Sequence, residues 1–198
     1  ARGLSRFVGR DTEIEQLRRG LEQARQGHGQ VVAVVGEAGV GKSRLFFEFA
    51  RSHRTQGWLI LESSSVSYGA ATSYLPVIDL LKSYFQIEDR DRTQRIREKV
   101  TGKVLTLDEK LKDAIPPILS LLEALPEEDG FRSLNPPQRR GRTLEALKQL
   151  LYRESRRQPL LLVFEDLHWL DSESQAVLDA LVESLPTSRV LLLTNYRP

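Results

Sequence analysis

The stretch GEAGVGKS, residues 36–43, constrains the fold of this chain more than any other. Gly36, Gly41, Lys42 and Ser43 occupy the fixed positions of the pattern G-x-x-x-x-G-K-[ST]. VVAVV (31–35) precedes it and reads as a strand buried on both faces. An amphipathic helix is expected after it, over about 42–54, with Leu45, Phe46, Phe49 and Ala50 inward and Gly57 as its breaker. Glycines let such a loop wrap a phosphate with its backbone N–H groups turned inward, and the helix start adds the positive end of its dipole. Glu37, Ala38, Gly39 and Val40 complete the loop, Lys42 reaches the terminal phosphates, and Ser43 offers a hydroxyl to Mg²⁺. Arg44 comes next and either touches a phosphate or pairs on the surface.

Around this loop, helical and extended segments alternate. Residues 11–26 place Ile14, Leu17, Leu21 and Ala24 on one helical face. WLILE (58–62) reads as a second buried strand. Residues 63–157 form a mainly helical insertion. Within it Val77, Leu80, Leu81, Tyr84 and Phe85 recur at helical spacing, a charged helical stretch covers roughly 91–113, and PPILSLLEAL opens a helix on prolines. Residues 126–137 read as loop, followed by a long helix to about 157 with Leu144, Leu147 and Leu151 on one face. A strand at 160–164, a helix at 172–185 and a strand at 189–194 close the chain. Ser172 with Gln175 fits a capping box at that helix start. The pattern predicts an α/β fold: a parallel β-sheet P-loop NTPase core flanked by helices, with the helical insertion between strands 2 and 3, in one domain over 1–198.

The strand LLLVF runs into two adjacent acids, Glu165 and Asp166. Beside a phosphate loop, a carboxylate at a neighbouring strand end holds the metal, usually through water, and a second acid polarises the attacking water. In a regular strand the two side chains point to opposite faces. Two assignments stay open: Glu165 on the metal with Asp166 as base, or Asp166 on the metal with Glu165 peripheral.

A net charge of +2 argues against a dedicated nucleic-acid binder, and the absence of Cys excludes thiolate metal sites and disulfides. Three scattered His residues do not make a zinc site. No apolar run reaches membrane-spanning length and no signal-peptide pattern opens the chain, so a soluble cytoplasmic protein is expected, with no membrane partner. A start at Ala1 and the lack of any Met suggest a piece of a longer polypeptide. Residues 131–158 carry eight basic side chains and two acids. This segment reads as a solvated helix face; the sharper reading is a docking face, or an arginine, Arg139 or Arg140, offered to a neighbouring subunit's nucleotide. His168 and Trp169 read as core packing with a satisfied imidazole, or as a switch beside the site. The guanine-reading Asn-Lys-x-Asp sequence does not occur.

These segments resemble the STAND-type, AAA+-related P-loop ATPases, above all the modules beside adenylate/guanylate cyclase domains and in large ATP-binding LuxR-type regulators. FVGRDTEIEQL (7–17) is similar to that family's opening motif, which packs near adenine and would involve Phe7, Val8, Gly9 and Arg10. LLLVFEDLHWLDSES is similar to its acidic strand segment, and LLLTNYRP to its sensor strand. There the resemblance implies a γ-phosphate-reading role for Arg197, with Asn195 as a second candidate. It implies ATP/ADP and Mg²⁺ as ligands, and a sensor strand lying between the phosphate-loop strand and the acidic strand. It also implies a fifth strand, a lid and a fused output domain or neighbouring subunit beyond Pro198. The expected function is a slowly hydrolysing regulatory switch in signalling or transcription. The alternatives are a nucleotide-dependent assembly module without hydrolysis and a small-molecule phosphotransferase using the insertion as acceptor pocket.

Overall fold

The computed structural model describes residues 9–64 and 72–198. Four parallel strands, β1 (Gln30–Val35), β2 (Leu59–Ser64), β3 (Leu160–Glu165) and β4 (Val190–Tyr196), form one sheet in the order β1-β4-β3-β2. The last strand in sequence thus lies between the phosphate-loop strand and the acidic strand, as the resemblance implied. The register aligns their C-terminal ends: Val35 faces Tyr196, Phe164 faces Thr194 and Ser64 faces Glu165. Loops leaving those ends therefore meet on one edge.

The helices are α1 (Asp11–Arg25), α2 (Lys42–Ala50), α3 (Leu75–Phe85), α4 (Thr93–Leu107), α5 (Ile115–Leu121), α6 (Pro136–Arg157) and α7 (Ser172–Ser184). They cover the sheet on both sides. Leu160, Leu162 and Phe164 of β3 pack with α3–α7, while Leu161 and Val163 pack with α1 and α2. A central strand covered on both faces favours apolar side chains at successive positions, which is why LLLVF of β3 and VLLL of β4 read as apolar runs. Each buried Leu or Phe contributes roughly 1.5–3 kcal/mol.

The edges depart from expectation. β1 is half exposed, not buried on both faces. Val32 and Val34 pack toward α1, but Val31 is 44% and Val35 50% exposed. The helices on that second face cover β2, β3 and β4 instead. β2 is an edge as well, with Leu61 and Ser63 buried and Glu62 exposed. A short β-branched run carries no information on whether its strand will be central or lateral.

Helix ends also moved. α2 stops at Ala50, and a 3-10 turn over His53–Thr55 follows; the Thr55 hydroxyl donates to the Ala50 carbonyl at the helix end and to that of Ser52. The cap of α7 is Asp171, not a Ser172–Gln175 box: its carboxylate accepts from the N–H groups of Glu173 and Ser174. Among the described residues a capping box opens α6, where Asn135 and Gln138 bond reciprocally around Pro136. The charged stretch splits at Leu107 into α4 and a 3-10 segment, Glu109–Ala114. Along α6, Leu147 and Leu151 are buried together with Leu150, and Leu144 is half-buried. Among the described residues no helix is long and apolar enough to cross a membrane.

Candidate functional site

The loop between β1 and α2 needs its glycines. Gly39 (φ 81°) and Gly41 (φ 86°) occupy the left-handed region, where a side chain strains the backbone. At Gly36 the constraint is space, since an added Cβ would come within 3.1 Å of the Val40 side chain. Lys42 is only 9% exposed, and its ammonium donates to the carbonyls of Gly36 (2.6 Å) and Glu37 (2.9 Å). A charge so enclosed needs such partners, and here they belong to the loop itself. Glu37, Ala38 and Val40 are exposed along the loop.

Arg10 ties the N-terminal motif to this loop. Its guanidinium donates to the Val40 carbonyl and to Glu13, the latter at 2.6 Å. Gly9 before it is exposed with φ 76°. Phe7 and Val8, the expected adenine wall, lie outside the described residues. Arg44 pairs with Glu48 one turn along α2, at 2.6 Å.

Ser43 and Glu165 line one cleft of about 280 Å³, together with Phe47, Arg51, Glu62 and Ser63. The acid pair does not follow the alternation of a regular strand. β3 ends at Glu165, and Asp166 turns into the left-handed region (φ 57°, ψ 47°). That turn is held by Asn195 of β4, which is 1% exposed. The Asn195 side-chain oxygen accepts from the Asp166 N–H at 2.8 Å, and its amide nitrogen donates to Glu165 Oε2 at 3.0 Å. Arg197, the first choice for the sensor position, is exposed beyond the strand's end, whereas Asn195 lies inside the acid cluster. The resemblance of LLLTNYRP to a sensor strand had named Asn195 as the second candidate; its bonds to the acid pair were not legible from the sequence.

Five residues past Asp166 the chain is clamped to the insertion. Asp171 accepts from the Tyr74 N–H at 3.1 Å in addition to its own helix caps. The Tyr74 hydroxyl donates to Glu173, which also receives Arg140. Burial pushes the Asp171 carboxyl up, but the hydrogen bonds from Ser174, Tyr74 and Glu173 outweigh it and hold it below the ordinary range. Burial, then the Glu173 bond, raises the Tyr74 phenol.

Arg140 thus serves a contact within the chain, and Arg139 is exposed. Arg132 donates to the carbonyls of Leu125 and Pro126, while Lys148 and Arg153 pair with Glu145 and Asp108. The imidazole of His168 is not satisfied: both ring nitrogens are buried without a hydrogen-bond partner among the described residues, beside the half-exposed Trp169 ring at 5.1 Å.

The donor set fits a magnesium nucleotide. The loop's glycine geometry leaves room for a phosphate's close approach, Lys42 supplies a cation at its base, and Ser43 and Glu165 bring a hydroxyl and a carboxylate, hard oxygen donors, to one cleft.

An uncharacterized protein of Rhizobium meliloti (strain 1021) is 26% identical to this chain over 195 residues, covering 97% of the chain and 18% of that protein. The chain therefore spans less than a fifth of that relative's length. The sequence model of the AAA ATPase domain matches residues 6–193. With its glycine-rich loop, acidic strand end and Asn195 assembled on a parallel sheet, the chain belongs to the AAA ATPase domain family.

Proposed function

We propose that this chain binds Mg²⁺-ATP, hydrolyses it slowly, and uses the difference between the ATP and ADP states to regulate a larger signalling or transcription-regulating protein. The observation that carries the reading is Asn195, which fixes both the Glu165 carboxylate and the Asp166 backbone next to the cleft shared with Ser43.

Ser43 and Glu165 are the residues that would hold the metal, and Asp166 would accept a proton from the attacking water. When bound, Mg²⁺ offsets the phosphate charge and favours displacement at the terminal phosphorus. Lys42 exchanges the Gly36 and Glu37 carbonyls for phosphate oxygens, keeping its ammonium bonded in both states. Asn195 holds the carboxylate of Glu165 in a fixed orientation, which limits reorganisation during the reaction. Arg197, exposed beyond the end of β4, would read the terminal phosphate. The regulatory context rests on the resemblance to STAND-type modules beside cyclase and LuxR-type output domains. The size of the Rhizobium relative, of which this chain covers 18%, supports it.

The test is titration of Mg²⁺-ATP and Mg²⁺-ADP into the chain, beside Lys42→Ala and Glu165→Gln, with phosphate release followed in parallel. Loss of a charge-assisted contact should weaken binding by Lys42→Ala about ten- to a hundredfold. Glu165→Gln should bind nucleotide with a weaker dependence on Mg²⁺ and release little phosphate. Unchanged affinity in Lys42→Ala would sink the proposal.

A further inference from the structure

A second cavity, of about 320 Å³, lies in the helical insertion, walled by one face of α3, the start of α4 and the end of α5. Its volume is at the small end of ligand pockets, which run about 300–1,000 Å³. None of its lining residues belongs to the phosphate loop or the acidic strand. Leu75, Ile78, Ile87, Ile96 and Leu121, all half-buried, converge on it with the buried Leu122. Half-buried branched side chains gathered at one concavity still present apolar surface to water, and an apolar ligand removes it.

The mouth is charged and unevenly compensated. Glu88 is paired with Arg90, and Asp91 with Lys99. Asp89, Glu123 and Lys82 form no ion pair among the described residues, which leaves two uncompensated carboxylates against one ammonium. Two helix ends turn sharply near the cavity, and only the second, at Glu123, lines it. Gln86 and Glu123, following α3 and α5, hold φ of 54° each, a conformation that usually selects glycine at a helix end. Neither is glycine, and the bend at Glu123 sets a carboxylate at the rim. Non-glycine residues persist in such backbone only where surrounding structure enforces it, and these positions concentrate at ligand sites.

We propose that this cavity binds a small amphipathic amine, with its aliphatic body against the leucine and isoleucine floor and its ammonium toward Asp89 and Glu123. The site belongs to an effector rather than to the nucleotide. Leu75 in its wall follows Tyr74, the residue whose N–H and hydroxyl bond to Asp171 and Glu173 just beyond the acid pair. A ligand here leans on the segment that joins the insertion to the candidate active site.

The experiment is calorimetric titration of the chain with octylammonium and, separately, octanoate, both below their micelle concentrations. Parallel titrations use Ile96→Trp, which fills the cavity, and the double variant Asp89→Asn/Glu123→Gln, which alters only exposed groups. Circular dichroism and Mg²⁺-ATP binding serve as folding controls. Octylammonium should bind saturably at one site and at least tenfold more tightly than octanoate. The double variant should lose that preference, and Ile96→Trp should lose the site. The proposal is overturned if octylammonium shows no saturable binding, if both probes bind equally to the parent, or if the double variant keeps the preference for the amine.

Discussion

The side-chain amide of Asn195 donates to Glu165 at 3.0 Å while its oxygen accepts from the Asp166 backbone at 2.8 Å, so a single β4 residue holds the Glu165 carboxylate and the backbone turn at Asp166. Replacing it with alanine removes both bonds, leaving a free carboxylate and an unpaired N–H. Asn195→Ala is expected to lower kcat on the order of ten- to a hundredfold with a smaller change in nucleotide affinity. Steady-state phosphate release compared with equilibrium nucleotide binding separates the two effects; an affinity loss with kcat intact would assign Asn195 to binding instead.

Arg10 braces the phosphate loop from outside through the Val40 carbonyl. The bond is exposed, so its loss costs little stability, but it steadies a loop that must present its N–H groups together. Arg10→Ala should leave the melting temperature within a few degrees and weaken Mg²⁺-ATP binding about three- to tenfold, the equivalent of one modest hydrogen bond. Titration and thermal unfolding of the same sample decide it.

Asp171 joins the start of α7 to Tyr74 on the other side of the insertion. Asp171→Ala removes a helix cap and strands the Tyr74 N–H, a cost of about 1–3 kcal/mol. Its carboxyl sits below its ordinary value in the folded chain. The stabilisation is therefore fully present above the unfolded value of about 3.9, and is lost as pH falls through the folded one. Denaturant midpoints from pH 6 down to 3 should show a steeper acid loss in the parent than in Asp171→Asn.

Tyr84 donates to Glu154, a carboxylate only 1% exposed that otherwise receives Gln158 at 2.7 Å. Tyr84→Phe should cost about 1–3 kcal/mol by leaving that buried charge with one partner fewer. Burial, then the Glu154 bond, raises the Tyr84 phenol well above its usual range. The folded chain then keeps a proton that the unfolded chain releases above about pH 10, so stability falls with rising pH there. Alkaline unfolding followed by tyrosinate absorbance should show Tyr84 ionising with unfolding, and Tyr84→Phe should flatten that slope.

Much was legible in the one-dimensional pattern. Leu45, Phe46, Phe49 and Ala50 face inward from α2, as do Val77, Leu80, Leu81, Tyr84 and Phe85 from α3, because helical periodicity is a local property written into spacing. The phosphate loop was legible for a similar reason: its function depends on contiguous backbone, with glycine required at Gly39 and Gly41. Capping was less secure. Asp171 displaced the Ser172–Gln175 box because it reaches two α7 N–H groups and Tyr74 at once, and Tyr74 is 97 residues away in sequence.

The sequence by itself determined which segments are helix or strand, which faces are apolar, and that a phosphate-binding loop sits between β1 and α2. Spacing and periodicity could not place β4 between β1 and β3, an order that only the family resemblance implied and the structure bears out; tertiary structure alone decided that β1 is left with an exposed face and that Asn195, not Arg197, meets the acids. The division is physical. Periodicity and turn chemistry act over a few residues, whereas strand order and the partner of a buried polar side chain follow from which surfaces pack together across the whole chain.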